Sequence, residues 1–182
     1  MYKKIKRNNF ILNCHGSVII EFAFAVFIIT LLIKVLLSVA TYQSTVGKLD
    51  RISYSIAGIV RERSKLYGSD YRLTQMQVEE LKRLAEKMLL NTGMKGSNLA
   101  IRIETLHFFP SNPEIKDIDN QNTVEVSLGS CQPIRPLSKM INLSPYAHTG
   151  RWIPLYQVTL CLPTTGGGLA IPITSSAVAI ER

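Results

Sequence analysis

The sequence is short of the residue types that build catalytic and metal sites. Its 182 residues include three histidines, three cysteines and one tryptophan. His107 and His148 stand in dissimilar settings, and neither has metal-ligand spacing relative to Cys131 or Cys161. The sequence contains no nucleophile elbow, Ser-x-x-Lys motif or cluster of paired carboxylates. We therefore expect no enzymatic activity, no metal, no cofactor and no small-molecule substrate.

Acidic residues are absent from the first seven positions, whereas basic residues are frequent there. Lys3, Lys4, Lys6 and Arg7 supply half of the net charge of +8. A basic cluster that precedes an apolar run typically holds the N-terminus in the cytoplasm, beside anionic lipids. No basic face with interleaved aromatic residues occurs elsewhere in the sequence, so we expect no nucleic-acid partner.

An apolar run of two dozen residues, 17–40, follows the basic cluster. As a helix it covers about 36 Å, enough to cross a hydrocarbon core of about 30 Å. Lys34 can extend its ammonium to the outer headgroups. Glu21 has a short side chain one turn inside the run, where an acid costs about 2.5–3.5 kcal/mol, so it is a functional candidate. The alternative is that Glu21 lies at the level of the inner headgroups.

Two ordinary N-terminal signals compete with a processed membrane helix. A secretory signal peptide would be cut after Ser38-Val39-Ala40, a small-x-small pattern. However, the apolar run is longer than the usual h-region of roughly 7–15 residues, and it contains Glu21 and Lys34. An uncleaved signal anchor is the other alternative.

Proline is also absent from the first 109 residues, so nothing in this stretch forces a helix to break. Apolar residues recur at every third or fourth position from Val46 to Val60, with charged residues between them. This periodicity predicts that the membrane helix continues to about Tyr67. Gly68-Ser69-Asp70 then marks the end of the helix.

A second amphipathic helix is predicted from Thr74 to about Gly93. Thr74 and Gln77 match a capping box, which is typical of a helix N-terminus. The apolar stripe of this helix comprises Val78, Leu81, Leu84, Ala85, Met88 and Leu89. We expect the stripe to pack against the first helix or against a sheet.

The pattern changes to strands after Asn98. From Leu99 to Leu106 the apolar residues alternate with Arg102 and Glu104, which predicts a strand. Further strands are predicted at 123–128, 156–162 and 169–180, with a long excursion over 132–154 and a glycine turn at 166–168. The predicted fold class is α+β: a long N-terminal transmembrane helix, a second amphipathic helix and a small, mostly antiparallel sheet.

The cysteines indicate an oxidising compartment. Cys14 precedes the apolar run, which leaves Cys131 and Cys161 in the part placed outside the cytoplasm. A disulfide between them would close a loop of about 30 residues and stabilise the domain by about 3–4 kcal/mol. The alternatives are two reduced, buried cysteines or a metal site.

The start of the apolar run resembles the processing site of type IV prepilins, in which an aspartyl prepilin peptidase cuts after a glycine. The matching residues are Gly16, after the basic leader, and Glu21, five positions later and inside the run. The resemblance implies that Ser17 is the first mature residue. Cleavage then creates an ammonium group on Ser17, which the Glu21 carboxylate of a neighbouring subunit can neutralise.

The segment Gly16-Ser17-Val18-Ile19-Ile20-Glu21-Phe22-Ala23 is similar to the signature of TadE/TadF-like pseudopilins of tight-adherence (Flp pilus) systems, and TadF is preferred. This resemblance implies a minor component of pilus biogenesis that supports surface adhesion and biofilm formation. Its implied partners are the prepilin peptidase, other pseudopilins and the major pilin.

The implied organisation is a cytoplasmic leader (1–16), a transmembrane helix (17–41), a helical extension (42–68) and a periplasmic α+β domain (69–182). The protein would cross the bacterial inner membrane once and associate with the pilus. An uncleaved, membrane-anchored periplasmic binding or scaffold protein is the main alternative. An anchored hydrolase is a third, and would require a pocket with a paired nucleophile and base.

Overall fold

A computed structural model describes residues 15–66, 72–94, 98–110, 113–163 and 172–181. The chain divides into two compact units, 1–43 and 44–182. Two α-helices and four β-strands account for the regular structure of the described residues. These elements confirm the predicted α+β class.

The first helix, α1 (His15–Leu66), is 52 residues long, and the predicted end at Tyr67 and break at 68–70 lie outside the described residues. Among the described residues, one helix is long and apolar enough to cross a membrane, and that helix is α1. All side chains from Val18 to Gln43 are exposed. The Thr30 hydroxyl donates to the Phe27 carbonyl (2.8 Å). Such hydroxyl-to-carbonyl bonds satisfy polar groups within the helix itself, as an apolar solvent requires.

The second helix, α2 (Gln75–Asn91), begins at the predicted capping box. Thr74 and Gln77 each accept a hydrogen bond from the other's backbone N–H, which pairs two otherwise unsatisfied donors. At the other end, the Lys48 ammonium donates to the Thr92 carbonyl (3.1 Å). This bond places a positive charge from α1 at the C-terminus of α2, where the helix dipole favours it.

The four strands form one antiparallel sheet in the order β2-β1-β3-β4. Their bounds are β1 (Ala100–Leu106), β2 (Glu125–Leu128), β3 (Leu155–Leu162) and β4 (Ile173–Ile180). β2 starts two residues later than the alternation predicted. The predicted glycine turn at 166–168, and residues 169–171 of the predicted last strand, lie outside the described residues.

One face of the sheet packs against α2 and against the part of α1 that belongs to unit 44–182. The helices contribute the buried residues Leu49, Ile52, Ile56, Ala57, Val60, Val78, Ala85 and Leu89. The sheet contributes Ile101, Ile103, Tyr156, Val158, Leu160, Ile173 and Ala177, and Leu99, directly before β1, joins them. This cluster is the main core, and its helical members recur at the spacing that the sequence predicted.

The opposite face of the sheet is covered by the excursion between β2 and β3. The excursion contains two short 3-10 turns, Leu137–Lys139 and Ile141–Leu143. Buried Leu137 packs against Leu106 and Leu155, and its backbone N–H donates to the Glu104 carboxylate (3.5 Å). The alternating sequence pattern predicted that one face of β1 is exposed. Both faces are largely buried, because the excursion covers the face that carries Glu104.

The sulfur atoms of Cys131 and Cys161 lie 2.00 Å apart, the distance of a disulfide bond. Both residues are buried, and they contact Ala100. The chain passes close to β1 here: a Cβ atom on Gly129, whose φ is +94°, would lie 2.9 Å from the Ala100 Cβ. The disulfide thus joins the start of the excursion to the end of β3, as predicted.

A buried polar network links α1 to the edge strand β4. The Ser175 hydroxyl donates to the Asp50 carboxylate (2.6 Å), and the Ser53 and Ser175 hydroxyl oxygens lie 2.9 Å apart. Ser53 is fully buried and Ser175 is nearly so. Buried hydroxyl groups need partners, so this network fixes how α1 is placed on the sheet in unit 44–182.

Candidate assembly site on the first helix

The predicted cleavage point lies within the helical backbone of α1. His15 is the first described residue of α1, and Gly16 and Ser17 are helical. Glu21 follows Ser17 by four residues, which corresponds to about 6 Å along the axis and to the same side of the helix. The basic residues Lys3, Lys4, Lys6 and Arg7, together with Cys14, lie outside the described residues.

Glu21 stands on an exposed and otherwise apolar helix surface. The residues around it form a shallow apolar patch: Ile19, Ile20, Ala23, Phe24 and Phe27. None of these side chains is buried within the described residues of unit 1–43. A carboxylate at this depth is costly in hydrocarbon, and headgroups or nearby positive charges lower that cost.

Lys34 is too far from Glu21 to provide this charge within the same helix. The two residues are thirteen positions apart, which separates them by about 20 Å along the axis and by about 140° around it. Lys34 is exposed, like its neighbours. The two charges therefore face different surroundings, and Lys34 does not pair with Glu21 of the same chain.

Unit 44–182 offers no comparable chemical site in its described part. No group of three or more His, Cys, Asp or Glu residues that could hold a metal ion occurs among the described residues. His107 is buried with its ring edge-on to Tyr156, the ring centroids being 5.8 Å apart. Burial lowers the pKa of His107 to about 4, against a small opposing effect of Asp119. His107 is thus neutral at pH 7, and its burial between strand and loop indicates a role in packing.

The Lys116 ammonium group stabilises the excursion, and no sequence pattern indicated this role. The Lys116 ammonium lies 4.1 Å from the centre of the Trp152 ring and donates to the carbonyls of Ser144 (2.8 Å) and Ile141 (3.1 Å). The Trp152 indole donates in turn to the Ile115 carbonyl (2.9 Å). These contacts join segments that are 25–37 residues apart, so no local signal predicts them.

Comparison with known proteins assigns the chain to a family. A family model described as "TadF: Putative tight adherence pilin protein F" matches residues 9–167, well over half of the chain. The match begins before the predicted cleavage point and extends through β3, so it covers both the exposed helix and most of the α+β unit. No curated protein and no solved structure matches the chain. The chain belongs to the TadF family of tight-adherence pilin proteins.

Proposed function

We propose that this pilin-like chain is a minor component of tight-adherence pilus biogenesis, cut after Gly16 by a prepilin peptidase. The N-terminus lies in the cytoplasm, α1 crosses the inner membrane once, and the α+β unit lies in the periplasm. The role is structural and not enzymatic. Through assembly of the pilus, the protein supports surface adhesion and biofilm formation.

The observation that carries the proposal is the position of Glu21 on α1. Cleavage after Gly16 makes Ser17 the first residue of the helix and leaves Glu21 in the first turn or just beyond it. A carboxylate at that position is stabilised by the positive end of the helix dipole and by a nearby ammonium group. Because the surrounding surface is apolar and exposed, a neighbouring helix can lie against it and place its own Ser17 ammonium beside Glu21.

The basic cluster supports the proposed orientation. Lys3, Lys4, Lys6 and Arg7 precede the apolar helix, and positive residues are retained on the cytoplasmic side of a membrane. The disulfide geometry of Cys131 and Cys161 is consistent with an oxidising compartment on the other side. Removal of the leader would leave Ser17 at the cytoplasmic surface of the membrane.

The direct test is the N-terminus of the protein after extraction from membranes, in cells with and without the prepilin peptidase. We expect a chain that begins at Ser17 only when the peptidase is present. Gly16→Leu should block cleavage, whereas Gly58→Leu, a control later in α1, should not. An intact Met1 in cells that contain the peptidase would favour an uncleaved, membrane-anchored scaffold or binding protein. A soluble chain that begins at Thr41 would indicate a secretory signal peptide.

A second test addresses the role of Glu21 after cleavage. Glu21→Val should still be inserted and cut, yet lose co-purification with partner pilins and fail to restore surface attachment to a deletion strain. Glu21→Asp keeps the charge and should retain part of the function. Lys34→Gln removes a different charge from the same helix and serves as the control. Normal assembly of Glu21→Val would refute the charge-pairing role.

A further inference from the structure

A narrow surface groove runs between the outer part of α1 and α2. Three residues of α1 line it, Ile59, Val60 and Arg63, together with four residues of α2, Gln77, Glu80, Leu81 and Leu84. The α2 residues follow one another at helical spacing and so form a single face. The groove has a volume of about 220 Å³. It is smaller than most small-molecule pockets, which hold roughly 300–1,000 Å³.

The walls of the groove are aliphatic and partly open to solvent. Ile59 is 41% exposed and Leu84 is 38% exposed, while Val60 below them is buried. Exposed aliphatic side chains on both sides of a concave surface favour the burial of further aliphatic groups between them. Side chains from another polypeptide would fit a space of this size.

Arg63 supplies a buried positive charge at the same groove. Its side chain is only 8% exposed, and one terminal nitrogen donates to the Arg72 carbonyl. Among the described residues, Arg63 forms no ion pair, and its Nε atom has no hydrogen-bond partner. Glu80 lines the groove but is exposed and forms no ion pair with Arg63.

A buried guanidinium group keeps its charge, because its pKa is too high for it to lose a proton. With no ion pair among the described residues, it carries a desolvation cost that a docked carboxylate would relieve, through hydrogen bonds to a planar, fork-shaped donor. The combination of a short aliphatic groove and a buried guanidinium group favours a ligand that is both apolar and acidic.

We propose that this groove binds an acidic segment of a partner protein. The segment places a carboxylate on Arg63 and aliphatic side chains between Ile59 and Leu84. Charge complementarity favours a different protein over a second copy, since the chain stays basic after cleavage: the net charge of +8 includes four charges of the leader, and the remaining +4 still makes two copies repel each other. The site is distinct from Glu21, which lies in the other unit.

The test uses the full-length chain in native membranes that contain the other components of the pilus apparatus. A photoreactive benzoylphenylalanine replaces Leu84 inside the groove or, as a control, Leu90, which is 57% exposed on the same helix but outside the groove. We expect cross-linking from position 84 to a partner peptide that contains Asp or Glu, and at least tenfold less from position 90.

Charge variants then test whether the guanidinium group recognises the acid. Arg63→Gln should reduce the cross-link at least tenfold, whereas Arg61→Gln, which removes a cation paired with Glu62 at 2.9 Å, should leave it unchanged. Arg63→Glu should abolish the cross-link, and replacing the acid in the captured peptide with arginine should restore it. Formation of the Cys131–Cys161 disulfide serves as the check that each variant folds.

If Arg63→Gln fails to fold, the photoreactive residue is placed at Ile59 and combined with Leu84→Asp. The introduced carboxylate should then compete for Arg63 and abolish the cross-link. Cross-linking to lipid, cross-linking to a second copy, or a cross-link that persists in Arg63→Gln or in Leu84→Asp would overturn the proposal. None of these outcomes affects the N-terminal test of the proposed function, because that test measures cleavage at Gly16.

Discussion

Two parts of the same helix differ sharply in what surrounds them. From Val18 to Gln43, the side chains of α1 are all exposed. From Leu49 to Arg63, seven side chains are buried against the rest of unit 44–182: Leu49, Ile52, Ser53, Ile56, Ala57, Val60 and Arg63. Backbone hydrogen bonding is the same in both parts, so the difference lies in the solvent. The first part requires lipid or another molecule to cover it, and the second is covered by its own sheet.

This contrast indicates where stability and assembly are separable. Substitutions in the exposed part change contacts with the membrane and with neighbouring subunits, and they leave the folded unit intact. Substitutions in the buried part change the free energy of unfolding. The only tryptophan, Trp152, lies in unit 44–182, so its fluorescence reports unfolding of that unit alone.

The largest effect on the free energy of unfolding is expected when one substitution, isoleucine to alanine, is moved from the exposed to the buried part of α1. Ile56→Ala, at a fully buried position, should lower the free energy of unfolding of unit 44–182, called the outer unit below, by about 2–5 kcal/mol. Ile29→Ala, at an exposed position, should leave it unchanged. Urea unfolding of the full chain in detergent micelles, followed by Trp152 fluorescence, measures both. Equal effects would contradict the division between the two parts.

Loss of the disulfide should act only on the outer unit. Cys131→Ser combined with Cys161→Ser should lower its free energy of unfolding by about 3–4 kcal/mol, as expected for a cross-link that spans 30 residues. Cys14→Ser, measured in the uncleaved full-length chain, serves as the control. Peptide mapping under non-reducing conditions should show the Cys131–Cys161 link in the parent protein. Free thiols at both positions in protein extracted from membranes would contradict this prediction.

Acid should destabilise the outer unit through His107. Its pKa is lowered from 6.5 to about 4 in the folded protein, so the unfolded chain binds a proton that the folded chain does not bind. Stability is therefore fully present above pH 6.5 and is lost as the pH falls towards 4, by up to about 3 kcal/mol. His107→Gln should flatten the dependence of the urea midpoint on pH between 7 and 4.5. His148→Gln, at an exposed position, should preserve it, and a flat profile in the parent protein would refute the assignment.

A smaller effect is expected where α1 contacts the edge strand. Ser175→Ala removes the donor to Asp50 and a partner of Ser53, and should cost about 1–3 kcal/mol. Ser176→Ala, on the other face of β4, loses only its 3.0 Å contact with Thr159 and should cost less. The same unfolding assay compares the two variants. A larger cost for Ser176→Ala would mean that the network with α1 contributes little.

Elements with local signals were predictable from the sequence. The capping box of Thr74 and Gln77 located the start of α2, because the bonds form between residues three apart. The alternation around Arg102 and Glu104 located β1, because period two is a property of the backbone. The separation of Cys14 from the other cysteines by the apolar run made a Cys131–Cys161 disulfide one of three alternatives, and the structure contains it.

Contacts between distant segments were not predictable in this way. Ser53 and Ser175 are separated by 122 residues, and each resembles an ordinary surface serine in its local sequence. The excursion over the second sheet face reads as a polar, proline-containing loop, yet it buries Leu137 and supplies a donor to Glu104. Arg63 likewise continues a charged stretch of an amphipathic helix, and its burial beside a groove that α2 also lines is seen only in the tertiary structure.

The sequence by itself determined the long apolar segment, the position of Glu21 within it, the resemblance to a cleavage motif around Gly16 and the predicted pair of cysteines. These features depend on composition and on short spacings along one chain, so no folding is needed to recognise them. Only the tertiary structure decided which part of α1 is buried, what covers each face of the sheet and that the buried guanidinium group of Arg63 lies beside an open groove. Burial is a property of neighbours that are brought together from far apart in the chain, and local periodicity does not specify those neighbours.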